Sequence, residues 1–145
     1  MKDKNKIPET LEEAFEHLER DADPKDLKKW AAMDENRAMG EVHHGLGTAI
    51  RNDWGLWFDT SPLHKHLNTF GIKCGDDVSG IIFTSFHRKM NGKDINMEEQ
   101  LKVYWAHWLN ENHSCEDYWP TKIKGTEDKY LKMFEEFKKE LDGKR

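Results

Sequence analysis

Residues His43 to Trp57 read HHGLGTAIRNDWGLW, and whether this stretch is a nucleotide loop, a metal site or a helix decides how the chain is understood. A dinucleotide fingerprint needs a preceding strand and a third glycine three residues after GLG, and Gly45-Leu46-Gly47 has neither. His43 and His44 diverge by about 100° around a helix, so they cannot share a metal ion, and no other histidine pair has the three- or four-residue spacing that would. What remains is helix. Asp34 offers an N-cap, Met39, Val42, Leu46, Ala49 and Ile50 recur on one side at 3.6 spacing, and Gly55 offers a left-handed stop.

Three glycines, Gly40, Gly45 and Gly47, interrupt this helix, each at about 1 kcal/mol relative to alanine, so packing or function must offset a few kcal/mol. Either a neighbouring backbone lies against Gly45 and Gly47 or a ligand does. Arg37, Glu41, His44, Thr48 and Arg51 line the side opposite the apolar stripe. At the helix end, Arg51-Asn52-Asp53-Trp54-Gly55-Leu56-Trp57 crowds a permanent cation, an amide, a carboxylate and two indoles. Arginine binds carboxylates or phosphates in a fork, an indole stacks on a planar group, and asparagine reads its edge. The plain alternative is that Trp54 and Trp57 are core and Asn52 and Asp53 hold a turn. If Arg51 and Asn52 spend their hydrogen bonds on the chain itself, the motif is architecture; if they point into empty space beside Trp57, something binds there.

Outward from this stretch the pattern is helical throughout. Thr10 with Glu13 forms a capping box ahead of Leu11, Phe15 and Leu18, and Asp23-Pro24 opens a short helix carrying Leu27, Trp30 and Ala31 that ends near Met33. Ser61-Pro62 opens another, with Leu63, Leu67 and Phe70 inward and Gly71 closing it. A longer helix from Asp76 or Asp77 carries Val78, Ile82, Phe83, Phe86 and Met90 to the turn at Asn91-Gly92; IIFTSF within it could pass for a strand but has no partner. Its Ser85 and His87, two residues apart, cannot act as a nucleophile and base pair. Asn96 with Glu99 makes a second capping box before Met97, Leu101, Tyr104, Trp105 and Trp108. Residues 110–125 form a loop that packs down through Tyr118, Trp119 and Ile123, and a C-terminal helix over 126–143 buries Tyr130, Phe134, Phe137 and Leu141.

The whole describes an all-α fold of six or seven short helices in one domain over residues 1–145, centred on His43–Trp57 packed against Asp77–Met90. Charged residues make up 35% of the chain, against about 25% in an average globular protein. Their net charge is −5 and the signs alternate, leaving no basic face for duplex nucleic acid. No apolar run approaches a membrane span, Cys74 and Cys115 sit in no paired framework, and the start MKDKNKIPET lacks a signal-peptide core, so a cytoplasmic protein without metal or cofactor is expected. His113 and Cys115 could join Cys74 around a metal only by an arrangement that no spacing enforces.

The segments HHGLGTAIRNDWGLW and DDVSGIIFTSFHRKMNG, with IPETLEEAFEHLE ahead and INMEEQ behind, resemble a family of small uncharacterised bacterial proteins whose domain has no assigned function. The resemblance spans roughly Ile7 to Leu109 and picks out Gly45, Gly47, Arg51, Asn52, Trp54, Gly55, Trp57, Asp77, Ser79, Gly80 and Ser85, among others. It implies homologues and transfers no catalytic role.

The functional expectation is a binding or interaction protein in which His44, Arg51, Asn52 and Trp57, with Arg88, take a small anionic planar ligand or an acidic segment of a partner. Two alternatives stand beside it. One is a small hydrolase or transferase with His44 as general base and Arg51 stabilising negative charge, which requires the two to converge in a deep cleft. The other is a structural adaptor with no pocket.

Overall fold

Residues 6–110 and 116–143 are described by a computed structural model; His113 and Cys115 lie outside them. Helix starts follow the capping chemistry. Thr10 Oγ1 accepts from Glu13 N–H to open α1 (Leu11–Asp21), Asp23 accepts from Lys25 and Asp26 N–H to open α2 (Pro24–Ala32), and Asp34 accepts from Arg37 N–H to open α3 (Glu35–His43). Glu13 reaches back one residue further than a standard box, taking the Glu9 N–H at 2.7 Å.

The predicted third helix is two. Its backbone breaks at His44 and Gly45, where Gly45 has φ −81° and ψ −86°, and α4 (Leu46–Asp53) starts afresh. This one break takes the count past the six or seven helices expected to the eight α-helices found among the described residues, and it redirects the apolar stripe. Ile50 is buried, but Leu46 and Ala49 are exposed. Of the three glycines, only Gly47 is demanded by packing: a Cβ there would stand 2.9 Å from the Val42 carbonyl oxygen and 3.0 Å from the Arg51 guanidinium. Gly40 sits inside α3 with nothing within 4 Å of an added Cβ. Gly40→Ala is therefore expected to raise stability by about 0.5–1 kcal/mol, and Gly47→Ala to lower it, as read from urea unfolding midpoints.

The corner WGLW closes α4 in a Schellman motif. Leu56 N–H donates to Arg51 O at 2.9 Å and Gly55 N–H to Asn52 O at 3.3 Å, with Gly55 at φ +62°. Leu56, fully buried, anchors the turn, and Ser61 Oγ donates to Trp54 O at 2.7 Å as it caps α5 (Pro62–Asn68). The same pair of backbone bonds ends α5 at Gly71 and α6 (Gly75–Met90) at Gly92.

Helix α6 is the hub. It touches α1, α3, α4, α5 and α7 (Met97–Asn110), and buries Val78, Ile81, Ile82, Phe83, Ser85 and Phe86 along most of its length. IIFTSF is helical, and no strand occurs among the described residues. The second capping box forms differently from expectation: Asn96 takes φ +50° and its amide donates to the Glu99 carboxylate instead of accepting from a backbone N–H. After a 3-10 turn at Glu116–Tyr118, Pro120 and Ile123 pack inward, and α8 (Asp128–Gly143) lies on α7 through Trp105, Phe134 and Phe137. No helix of the described residues is long and apolar enough to cross a membrane.

Candidate functional site

Arg51 turns inward. It is 6% exposed, and its guanidinium donates to Ser79 Oγ at 3.0 Å, to His43 O at 3.1 Å and to Thr48 Oγ1 at 3.1 Å, while Nε lies 3.4 Å from Asp76 Oδ1. Ser79 Oγ in turn donates to Asp76 O. One cation thus joins the last turn of α3, the first turn of α4 and the first turn of α6. This explains why Gly47 has no side chain: the guanidinium passes over it.

The other expected site residues do not gather around Arg51. His44 is exposed, edge-on to His43 with ring centroids 4.8 Å apart, so the cleft is reached by His43 and not by His44. Asn52 is exposed. Trp57 is 48% exposed, its ring lying against Gly75 where any Cβ would collide. Arg88 belongs to a separate network: it holds Glu35 through Nε at 2.7 Å and Nη2 at 3.2 Å, Ile95 O at 2.7 Å and Glu99 at 3.0 Å, clamping α3 and α7 to α6. That fork keeps the Glu35 carboxyl below its ordinary range.

Beside Arg51 lies a cleft of about 260 Å³, bordered by Met39 and His43 of α3, Asp76, Asp77 and Ser79 at the start of α6, and Tyr104 of α7. Asp77 is part-buried, and its Oδ2 accepts from the Trp108 indole N–H at 2.9 Å. Burial pushes the Asp77 carboxyl above its usual range, opposed by the Trp108 bond and by His107 and reinforced by Asp76. The Tyr104 hydroxyl ends over Gly80, in space that a Cβ would take, and burial together with Asp77 and Cys74 raises it well above an ordinary phenol. Tyr104 is thus a neutral donor and acceptor at any physiological pH. Thr84 Oγ1, donating to Met39 Sδ at 3.3 Å, completes the wall.

A carboxyl whose folded pKa is raised is stabilised by folding only while protonated, so its contribution is lost as pH rises through the folded value. Above the ordinary carboxyl range, keeping a charge on Asp77 therefore costs stability. Asp77→Asn keeps an acceptor for Trp108 and removes the charge; the expected outcome is a higher Tm at pH 7, with the gain shrinking as pH falls toward 4. An equal gain at both pH values would mean that the charge is not its source.

Sequence reasoning placed Tyr104 on an apolar face and gave Asp77 no role in the site. The available signals were Gly80, a glycine inside an otherwise apolar helix, and the adjacent acids Asp76 and Asp77 opening that helix. Among the described residues, no three His, Cys, Asp or Glu side chains gather as metal ligands.

No curated protein and no solved structure matches the chain. A family model does, over residues 7–90, which takes in α1 to α6 and stops short of α7 and Tyr104. With that span covering more than half of its length, the chain belongs to the family described as Domain of unknown function (DUF6794).

Proposed function

We propose that this protein is a binding protein for a small polar molecule, neutral or cationic, taken up in the cleft between α3, α6 and α7. The observation that carries this reading is the convergence of a part-buried carboxyl with a raised pKa, a part-buried phenol hydroxyl and the Arg51–Ser79 pair on one concavity. Holding Asp77 partly out of water works against stability, which a purely structural carboxylate has no reason to do.

The charge balance argues for a ligand other than the anion expected from the motif. Arg51 enters the cleft already engaged by Asp76, Ser79, Thr48 and the His43 carbonyl, so a carboxylate or phosphate would have to displace Asp76 while facing Asp77. A ligand with N–H or O–H donors meets acceptors instead. Catalysis with His44 as base draws no support, because His44 lies exposed outside the cleft.

A thermal-shift panel of small amines, amides, guanidines and polyols set against carboxylates and phosphates tests the reading, with Tyr104→Phe as the control that removes one hydroxyl. At a hundredfold excess over Kd a ligand stabilises by about 2.7 kcal/mol. The reading expects at least one neutral or cationic compound to raise Tm in the wild type and to do so less in Tyr104→Phe. Stabilisation by anions alone, or stabilisation indifferent to Tyr104→Phe, would overturn it.

The adaptor reading draws on a different feature. Trp57 and Phe58 are 48% and 65% exposed at adjacent positions of the α4–α5 corner, two large apolar side chains that a partner surface could cover. On that reading Phe58→Ser is expected to lower recovery of any partner in a pull-down while leaving ligand-induced Tm shifts unchanged.

A further inference from the structure

Val42 and Phe83, which wall the polar cleft, also border a second cavity of about 180 Å³ between α1, α2, α4 and α6. Besides these two it is lined by Leu18, Ala22, Leu27, Trp30, Leu46 and Phe86, with Asp26 as its one polar residue, and its chemistry is the opposite of the cleft's. The one polar group of the Trp30 ring is already spent, since Nε1–H donates to Ala38 O at 2.9 Å. Away from its rim the groove offers no free hydrogen-bonding group, and apolar walls around a space of about 150 Å³ are known to accept benzene. The outer wall is α2, a helix with no buried residue, held to the body by Trp30 stacked on Phe86 and edge-on to His87. Leu46, left 47% exposed by the break at Gly45, stands at the mouth.

One charged residue borders this groove, Asp26 in the first turn of α2. It lies at the surface, and among the described residues its carboxylate has no hydrogen-bonded or ion-paired partner. Size, polarity and charge therefore select one kind of occupant. A partner helix is too large for 180 Å³, an anion would meet Asp26, and an apolar group bearing a cation satisfies both the walls and the rim.

We infer that the groove binds a small aralkyl amine, its benzene-sized ring against Leu18, Leu27, Trp30 and Phe86 and its ammonium at Asp26. This site shares Val42 and Phe83 with the polar cleft but none of its polar groups, and the two are told apart by which tryptophan responds: Trp30 lines the groove and Trp108 is bonded to Asp77.

The test is a titration of the full chain with benzylamine, benzyl alcohol, benzoate and methylamine, following the indole N–H resonances of Trp30 and Trp108 together with Tm. Benzylamine is expected to shift Trp30 and raise Tm, benzyl alcohol to bind more weakly, and benzoate more weakly still. Methylamine, which has no ring, should leave Trp30 unmoved. Asp26→Asn, a surface change, should weaken benzylamine about two- to fivefold, the range of an exposed charge pair, and leave benzyl alcohol unaffected. Ala22→Phe, which fills the groove from its edge, should abolish both. A silent Trp30 with every aromatic compound, equal binding of benzoate and benzylamine, or binding that survives Ala22→Phe would each overturn the inference. A benzylamine response at Trp108 alone would assign the amine to the polar cleft and leave the groove empty.

Discussion

Replacing Arg51 with methionine is expected to lower the stability of the protein by roughly 2–4 kcal/mol, several times the effect of an ordinary surface substitution. Methionine restores the aliphatic stem but leaves the His43 carbonyl, Ser79 Oγ and Thr48 Oγ1 without their donor. A bond from a charged donor contributes about 1.5–3 kcal/mol where water cannot replace it. Here water partly can, because Asp76 is half-exposed and Thr48 lies at the surface, which keeps the loss below the simple sum. Lysine should recover little of it, since a single ammonium cannot span three helix ends as the planar fork does. Urea unfolding of the three proteins measures this directly. A methionine variant within about 0.5 kcal/mol of wild type would mean that Arg51 behaves as a surface group.

The second large effect is expected at Trp105, on the part of the chain beyond the family match. Its ring is 1% exposed and meets Phe134 at 5.5 Å between centroids, and its indole N–H donates to Gly71 O at 3.1 Å. Trp105→Ala opens a cavity and orphans that carbonyl, a loss of about 3–5 kcal/mol against a total of about 5–15 kcal/mol for a domain. Because the ring is where α7 meets α8, the damage should appear first in α8: amide exchange of Tyr130 to Phe137 is expected to accelerate more than that of α6. Equal acceleration in both helices would show that α8 is not held chiefly through Trp105. Trp105→Phe, which keeps most of the apolar contact, should recover much of the loss.

The sequence revealed its helix starts because capping is local chemistry. Thr10, Asp23, Asp34 and Ser61 each accept a backbone N–H within three residues, so a short window contains both partners of every cap. Gly55 was equally legible, its left-handed turn being fixed by neighbours one to five residues away. Periodicity failed at Gly45 for a definite reason: it assumes one straight axis, and Leu46 and Ala49 fall on the stripe of Met39 and Val42 only if the axis does not bend. The cleft was hidden for a different one. Tyr104 reaches Gly80 from another helix, and Arg51 reaches Ser79 across 28 residues, so no spacing rule connects the groups that meet there. The pattern of residue types singled out Arg51 but put it on the face opposite the apolar stripe, and it read Asp76 and Asp77 only as a helix start; the crossing of α6 by α3, α4 and α7 is what brings them together.

That Tyr104 comes from outside the matched span has a consequence for the family. The Arg51–Ser79–Asp76 arrangement and Asp77 all lie within residues 7–90, while the phenol and the Trp108 indole are supplied by the helix that follows. The matched span thus contributes the cation and the acids, and the rest of the chain contributes the wall that closes over them.

The claim that a ligand sits in this cleft is tested most directly by the Trp108 indole N–H resonance, since that proton is bonded to the Asp77 carboxylate at 2.9 Å. On titration with whichever neutral or cationic compound most raises Tm in the polar panel, the account predicts a saturable shift of Trp108, with Trp30 unmoved. A Trp108 resonance that stays still under every stabilising compound would contradict it.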